Sequence, residues 1–127
     1  MIHHVSLGVT DLERAAAFYD AVLTPLGYRR IFEIEGLAIA YGEKHPEFWI
    51  GGPLDRNRPA SAGNGTHVAF TAPSTDAADR FHAAALEHGA DDDGAPGPRP
   101  QYGPGYYGAF VRDPDGNKIE ACLIQSG

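Results

Sequence analysis

Between Ile2 and Val9 apolar and polar residues alternate: Val5, Leu7 and Val9 share one side of an extended backbone, and His4, Ser6 and Gly8 share the other. That period of two predicts a strand. Leu12, Ala16, Tyr19 and Leu23 then recur at helical spacing, Thr10 followed by Glu13 has the spacing of a capping box, and Pro25 disfavours helical geometry at Thr24. A helix ending near Thr24 is predicted. Three short extended runs follow, Tyr28 to Ile34, Leu37 to Tyr41 and Glu47 to Ile50, separated by Gly36 and by Lys44-His45-Pro46.

The same plan returns from Thr66. HVAFTAPSTDAADRFHAAALEHG aligns with HVSLGVTDLERAAAFYDAVLTPLG, matching His67 to His4, Val68 to Val5, Phe81 to Phe18 and Leu86 to Leu23. Fixed-interval self-similarity marks a duplicated strand-helix unit. Pro73-Ser74-Thr75 is placed to cap the second helix and Gly89 to end it near His88. The intervening GGPLDRNRPASAGNG is rich in turn formers, so the expected organisation is a single domain made of module one (1–51), a linker (52–65) and module two (66–127). Ala90 to Gly105 falls where the first copy has a strand, and its sequence ADDDGAPGPRPQYGPG reads as a weakly regular loop bordering a pocket. The chain closes on a predicted hairpin, YYGAFVRDPDGNKIEACL, turning at Asp113-Pro114-Asp115-Gly116. Ile119, Ala121 and Leu123 face one way in it, and Lys118, Glu120 and Cys122 the other.

Composition narrows the class. At 127 residues, with 43% hydrophobic and 21% charged residues, the chain has the make-up of one soluble globular domain. Ten basic residues against 17 acidic ones, net -7, argue against nucleic acid or an anionic membrane surface as partner. No apolar run reaches the length of a membrane span, and MIHHVSLGV enters a strand without a basic-then-apolar leader, so the expected compartment is the cytoplasm. The single Cys122 excludes an internal disulfide and reads as a small packing residue.

One parity argument applied three times gives the candidate chemistry. His4, His67 and Glu120 each stand off the apolar face of their strand. If helices cover the apolar side, the two imidazoles and the carboxylate project together from the other, a donor set for a divalent ion with positions left open for water or substrate. A single strand histidine is more often a hydrogen-bonded structural residue, but a repeat at the equivalent place in both copies is not explained that way. His3, His45, His82 and His88 read as surface or packing residues.

Three pieces, HHVSLGVTDLERAAAFYDAVLTPLGY, THVAFTAPS and FVRDPDGNKIEA, resemble in order and spacing the vicinal-oxygen-chelate superfamily of glyoxalases, bleomycin-resistance proteins, fosfomycin-resistance transferases and extradiol dioxygenases. The resemblance implies an α+β fold in which two βαβββ modules form a curled mixed-sheet cup with helices outside. It implies a homodimer, in some members with exchanged modules. It also carries the metal-ligand role to His4, His67 and Glu120, for Zn, Ni, Mn, Fe or Co acting as a Lewis acid on a small substrate with adjacent oxygens. The departures are specific. Ile50 is expected opposite Glu120, where glyoxalases have a fourth ligand, and Phe48-Trp49-Ile50-Gly51 offers none; Phe110 stands where dioxygenases and fosfomycin transferases have a tyrosine. The cup is expected to be lined by Ser6, Phe48, Ile50, Thr71, Phe110 and Cys122, with Arg99, Tyr102, Tyr106 and Tyr107 as substrate-orienting candidates. Two functional classes follow. A metal-dependent lyase, isomerase, transferase or dioxygenase-type enzyme uses the His, His, Glu trio, whereas a metal-free binding protein of the bleomycin-resistance type uses Trp49 and the tyrosines to stack on a planar ligand.

Overall fold

The alternation at the start of each copy becomes a strand and the helical spacing after it becomes a helix. The computed structural model describes residues 1–126. In its first half β1 (Val5–Gly8), α1 (Leu12–Leu23), β2 (Arg29–Ile34), β3 (Ala38–Gly42) and β4 (Phe48–Gly51) follow in order. In its second half the order is β5 (His67–Thr71), α2 (Thr75–Glu87), β6 (Asp91–Pro98), β7 (Tyr106–Arg112) and β8 (Lys118–Ile124). Each half builds a four-stranded mixed sheet, ordered β1-β4-β3-β2 and β5-β8-β7-β6. In each, the first strand pairs parallel with the last, and the remaining pairs are antiparallel. The architecture is α+β.

Local chemistry sets the element ends. The cap of α1 is Asp11, one residue after the Thr10 that the capping-box spacing suggested: its Oδ1 accepts the Arg14 N–H at 3.1 Å. Thr10 is diverted to the linker, its Oγ1 accepting the Ala60 N–H at 3.2 Å. Pro25 opens a 3-10 turn over Thr24–Leu26 rather than stopping the chain's coil outright. Ser74 caps α2 through the Ala77 N–H at 3.1 Å.

The stretch expected to be a loop after α2 contains β6. Three aspartates, two prolines and two glycines make a poor strand by propensity, yet β7 supplies the pairing and β6 lies at the sheet edge, where charges and proline are tolerated. Its register against β7 shifts around Gly94 and Gly97.

The inner faces of both sheets and both helices share one core, with Leu7, Phe48 and Ile50 from the first half and Phe70, Ile119 and Ala121 from the second packed around Phe18, Tyr19, Val22 and Phe81. Each large side chain so buried contributes about 1.5–3 kcal/mol. The edge of the Phe48 ring meets Phe70 across the module boundary at a centroid distance of 4.9 Å. Tyr28 Oη donates to the Thr71 carbonyl at 2.7 Å, and Asn117 Nδ2 to the Gly8 carbonyl at 3.2 Å. Among the described residues no helix is long and apolar enough to cross a membrane.

Candidate functional site

With the core fixed, every second residue of β1, β4, β5, β7 and β8 points to the opposite face. On the second sheet this face is polar. Glu120 sits in mid-β8 between β5 and β7 and is only 6% exposed. Its Oε1 lies 2.8 Å from Nε2 of His67. Its Oε2 accepts the hydroxyl of Tyr106. The Tyr106 ring reaches it by lying across Gly108, where any Cβ would collide with the phenol. Burial and then Glu120 push the Tyr106 phenol well above its ordinary pKa, so it stays a neutral donor. Burial, followed by the same carboxylate, pushes the Cys122 thiol up to about 11, which suits a packing residue and not a nucleophile.

The wall beside this group is Phe110, 7% exposed, with the His67 ring 5.8 Å away. Two cations flank it: Arg99 Cζ at 5.6 Å and Lys118 Nζ at 5.3 Å from the ring centre. Arg99 is held by the carbonyls of Ala95 at 2.7 Å and Pro98 at 3.3 Å. Tyr102 is exposed and meets Tyr106 edge-on at 5.2 Å. Tyr107 points the other way. Its phenol donates to Asp79 on α2 at 2.6 Å, because it is one residue out of phase with Tyr106 and Gly108, so it leaves the set of substrate-orienting candidates.

The first sheet places two more candidates. Ile50 is fully buried and Phe48 is 5% exposed, both in the core and off the outer face, with Phe48 also bordering a groove beside His4 and His67. The residue there is Trp49. Ser6 pairs with Trp49 as Ala69 pairs with Glu120, which makes Trp49, not Ile50, the counterpart of Glu120 in the first module. Phe-Trp-Ile is apolar throughout, so alternation gave no contrast from which to read the parity; the pairing with β1 would have given it. Trp49 is met by Phe32 at 5.9 Å and by His4 at 6.2 Å. Ser6 lies exposed on the same face.

His4 is exposed, with its Nδ1 2.8 Å from Nδ1 of His3. His4 and His67 both border a groove of about 490 Å³ at the starts of β1 and β5. Among the described residues, however, no group of three or more His, Cys, Asp or Glu side chains is placed to hold a metal ion. The fold thus brings His67 and Glu120 together and leaves His4 apart from them. His82, by contrast, is a packing residue, 8% exposed and bonded to Asp92 at 2.9 Å.

A chain of two such modules matches the family model for the glyoxalase/bleomycin resistance protein/dioxygenase superfamily over residues 1–121. The protein belongs to that family. A crystal structure of a glyoxalase/bleomycin resistance protein from Albidiferax ferrireducens T118 is similar with a TM-score of 0.84 and 39% identity, over 94% of this chain and 95% of that one. Lactoylglutathione lyase from Agrobacterium tumefaciens superposes with a TM-score of 0.64 at 20% identity, over 96% of this chain and 92% of that one. The fosfomycin resistance protein FosX from Mesorhizobium loti does so with 0.64 at 19% identity, over 94% and 88%. The last two likenesses show the fold alone. No curated protein matches the sequence.

Proposed function

We propose that the protein is a divalent-metal-dependent enzyme acting on a small substrate with adjacent oxygens. His67 and Glu120 hold the ion from one copy of the chain and His4 from a second. The observation that carries this is Glu120, a carboxylate 6% exposed on the face away from the core, with His67 against one oxygen and Tyr106 on the other. Burying a carboxylate is costly unless cationic or donor groups meet it, and no fold-stabilising contact with the core requires one here. Two imidazoles and one carboxylate suit Zn, Ni, Mn, Fe or Co. Such an ion, when bound, supplies a Lewis acid for a developing oxyanion.

The chain's own residues do the rest. Tyr106 fixes the orientation of Glu120 by its hydrogen bond, and Arg99 beside Phe110 draws an anionic substrate toward that wall, whereas Lys118 is paired with Asp93 at 3.4 Å. A second copy supports the placement of His4: β1 and β5 are both edge strands of their sheets, so another chain can meet either one. A homodimer completing the site across its interface accounts for a histidine that stays apart from the other two within one chain.

The direct 2.8 Å contact of His67 with Glu120, which satisfies the pair without an ion, favours a second reading as a metal-free small-molecule binding protein. Elemental analysis separates the two. Protein purified without chelator or affinity metal should carry a divalent ion that is lost in His67→Ala and Glu120→Gln, and should then be assayed with methylglyoxal hemithioacetal, catechols and fosfomycin. Metal-free wild-type protein whose unfolding midpoint does not move with added Ni, Mn, Zn or Co would leave only the binding protein.

A further inference from the structure

The outer face of the first sheet differs in character from that of the second. Where the second has Glu120, it has Trp49, and the Trp49 Nε1–H is buried without an acceptor among the described residues. Buried donors are nearly always paired, so an orphan in the wall of a pocket points to an acceptor that arrives from outside. The pocket is there. About 720 Å³ lies between this face and the linker, with Ser6, Gly8, Ala38 and Gly51 beside Trp49 and the linker from Pro53 to Ser61 as its roof.

Two features define what fits. Ser6, Gly8, Ala38 and Gly51 leave a low floor beside the Trp49 ring, with Leu37 at its margin, so a flat ring has a level surface and an aromatic wall. The charge is positive. Arg58 is taken by Asp55 at 2.8 Å, whereas Arg56 has no acidic partner among the described residues and its guanidinium lies over Gly52, where a Cβ would come within 3.6 Å of Nη1. The roof is lightly held: from Pro53 to Ser61 its one hydrogen bond to the rest of the described chain is Ala60 N–H to Thr10 Oγ1.

We propose that this pocket takes the carboxylate end of a small planar acid. The Trp49 Nε1–H donates to one carboxylate oxygen, and Arg56, carried on the linker, pairs with the other. A cation is disfavoured by Arg56. Because Trp49 also adjoins His4, the pocket names the substrate class of the site proposed above. The inference rests on that reading for its catalytic meaning, but the binding itself needs no metal.

Trp49 is the only tryptophan of the chain, so ¹⁵N-labelled protein shows a single indole N–H signal. Titration with benzoate, in EDTA, should move that signal downfield to saturation. Arg56→Gln, on the exposed linker, and Trp49→Phe, which keeps the ring, should each weaken binding roughly tenfold as read from the backbone amides. Benzamide, with the same shape and no charge, should bind more weakly by a similar factor. An indole signal that stays in place through the titration, or equal binding of benzoate and benzamide, overturns the proposal. His67→Ala separates it from the metal reading: that variant should lose the ion and keep benzoate. Wild-type protein that takes no metal yet shifts its indole with benzoate sinks the metal reading alone, and metal-replete protein with an unmoved indole sinks this one alone.

Discussion

The hydroxyl of Tyr19 on α1 donates to Oδ2 of Asp113 at 2.6 Å, joining residues 94 positions apart and clamping the first module to the closing hairpin of the second. Asp113 is 3% exposed and also accepts from the backbone of Asp115 at 2.9 Å, the backbone of Asn117 at 2.8 Å and Asn117 Nδ2 at 3.0 Å. Burial, then the Asp113 charge, drives the Tyr19 phenol far above its ordinary pKa, so the bond persists across the neutral range. Tyr19→Phe removes one donor to a charged acceptor and should lower unfolding free energy by about 1.5–3 kcal/mol. Asp113→Ala strands four donors and should cost more. Urea unfolding with an unchanged m-value measures both.

Adjacent residues of β4 should respond in opposite ways to the same substitution. Ile50→Glu places a charge without a partner in the shared core, an unfolding penalty on the order of several kcal/mol. Trp49→Glu puts the carboxylate on the outer face, at the position equivalent to Glu120 of the second module, and should leave the fold intact. Circular dichroism and thermal melts of the two variants decide the register; a folded Ile50→Glu protein would contradict it.

Tyr106 and Gly108 act on Glu120 together. Tyr106→Phe takes away the donor that holds the carboxylate, and on the metal reading should weaken the ion roughly 10–100-fold. Gly108→Ala drives a methyl group into the phenol and should reproduce much of that loss while Tyr106 is still present. Chelator competition measures both, and an unchanged affinity in Tyr106→Phe would remove the tyrosine from the site.

A site shared between two copies can be tested by mixing defects. His4→Ala and Glu120→Gln each abolish every site alone. Unfolded and refolded together, they should form mixed dimers with one intact site each, restoring about a quarter of the wild-type metal content. No restoration is expected if each chain builds its site unaided.

Much of this molecule is legible in its sequence. The duplicated strand-helix unit, both helices and the turn at Asp113-Pro114-Asp115-Gly116 depend on spacing and turn chemistry within a few residues, and such local rules act the same way in any surroundings. The outward placement of His67 and Glu120 was readable for the same reason, since Val68 and Ile119 beside them mark the inner face. β6 is not legible there because its pairing with β7, not its own propensity, makes it a strand. Asp11 won the cap from Thr10 because the linker claimed the threonine hydroxyl.

What the chain determined alone was therefore the order of the elements other than β6 and the side of each strand on which a charged residue could stand. What only the tertiary structure decided was which residues meet. Register against β1 put Trp49 outside and Ile50 inside, and helix packing turned Tyr107 toward Asp79. The close approach of β5, β7 and β8 set His67 and Tyr106 on Glu120 while His4 stayed with His3. These are contacts between segments distant in the chain, and hydrophobic periodicity carries no information about the partner a strand will find.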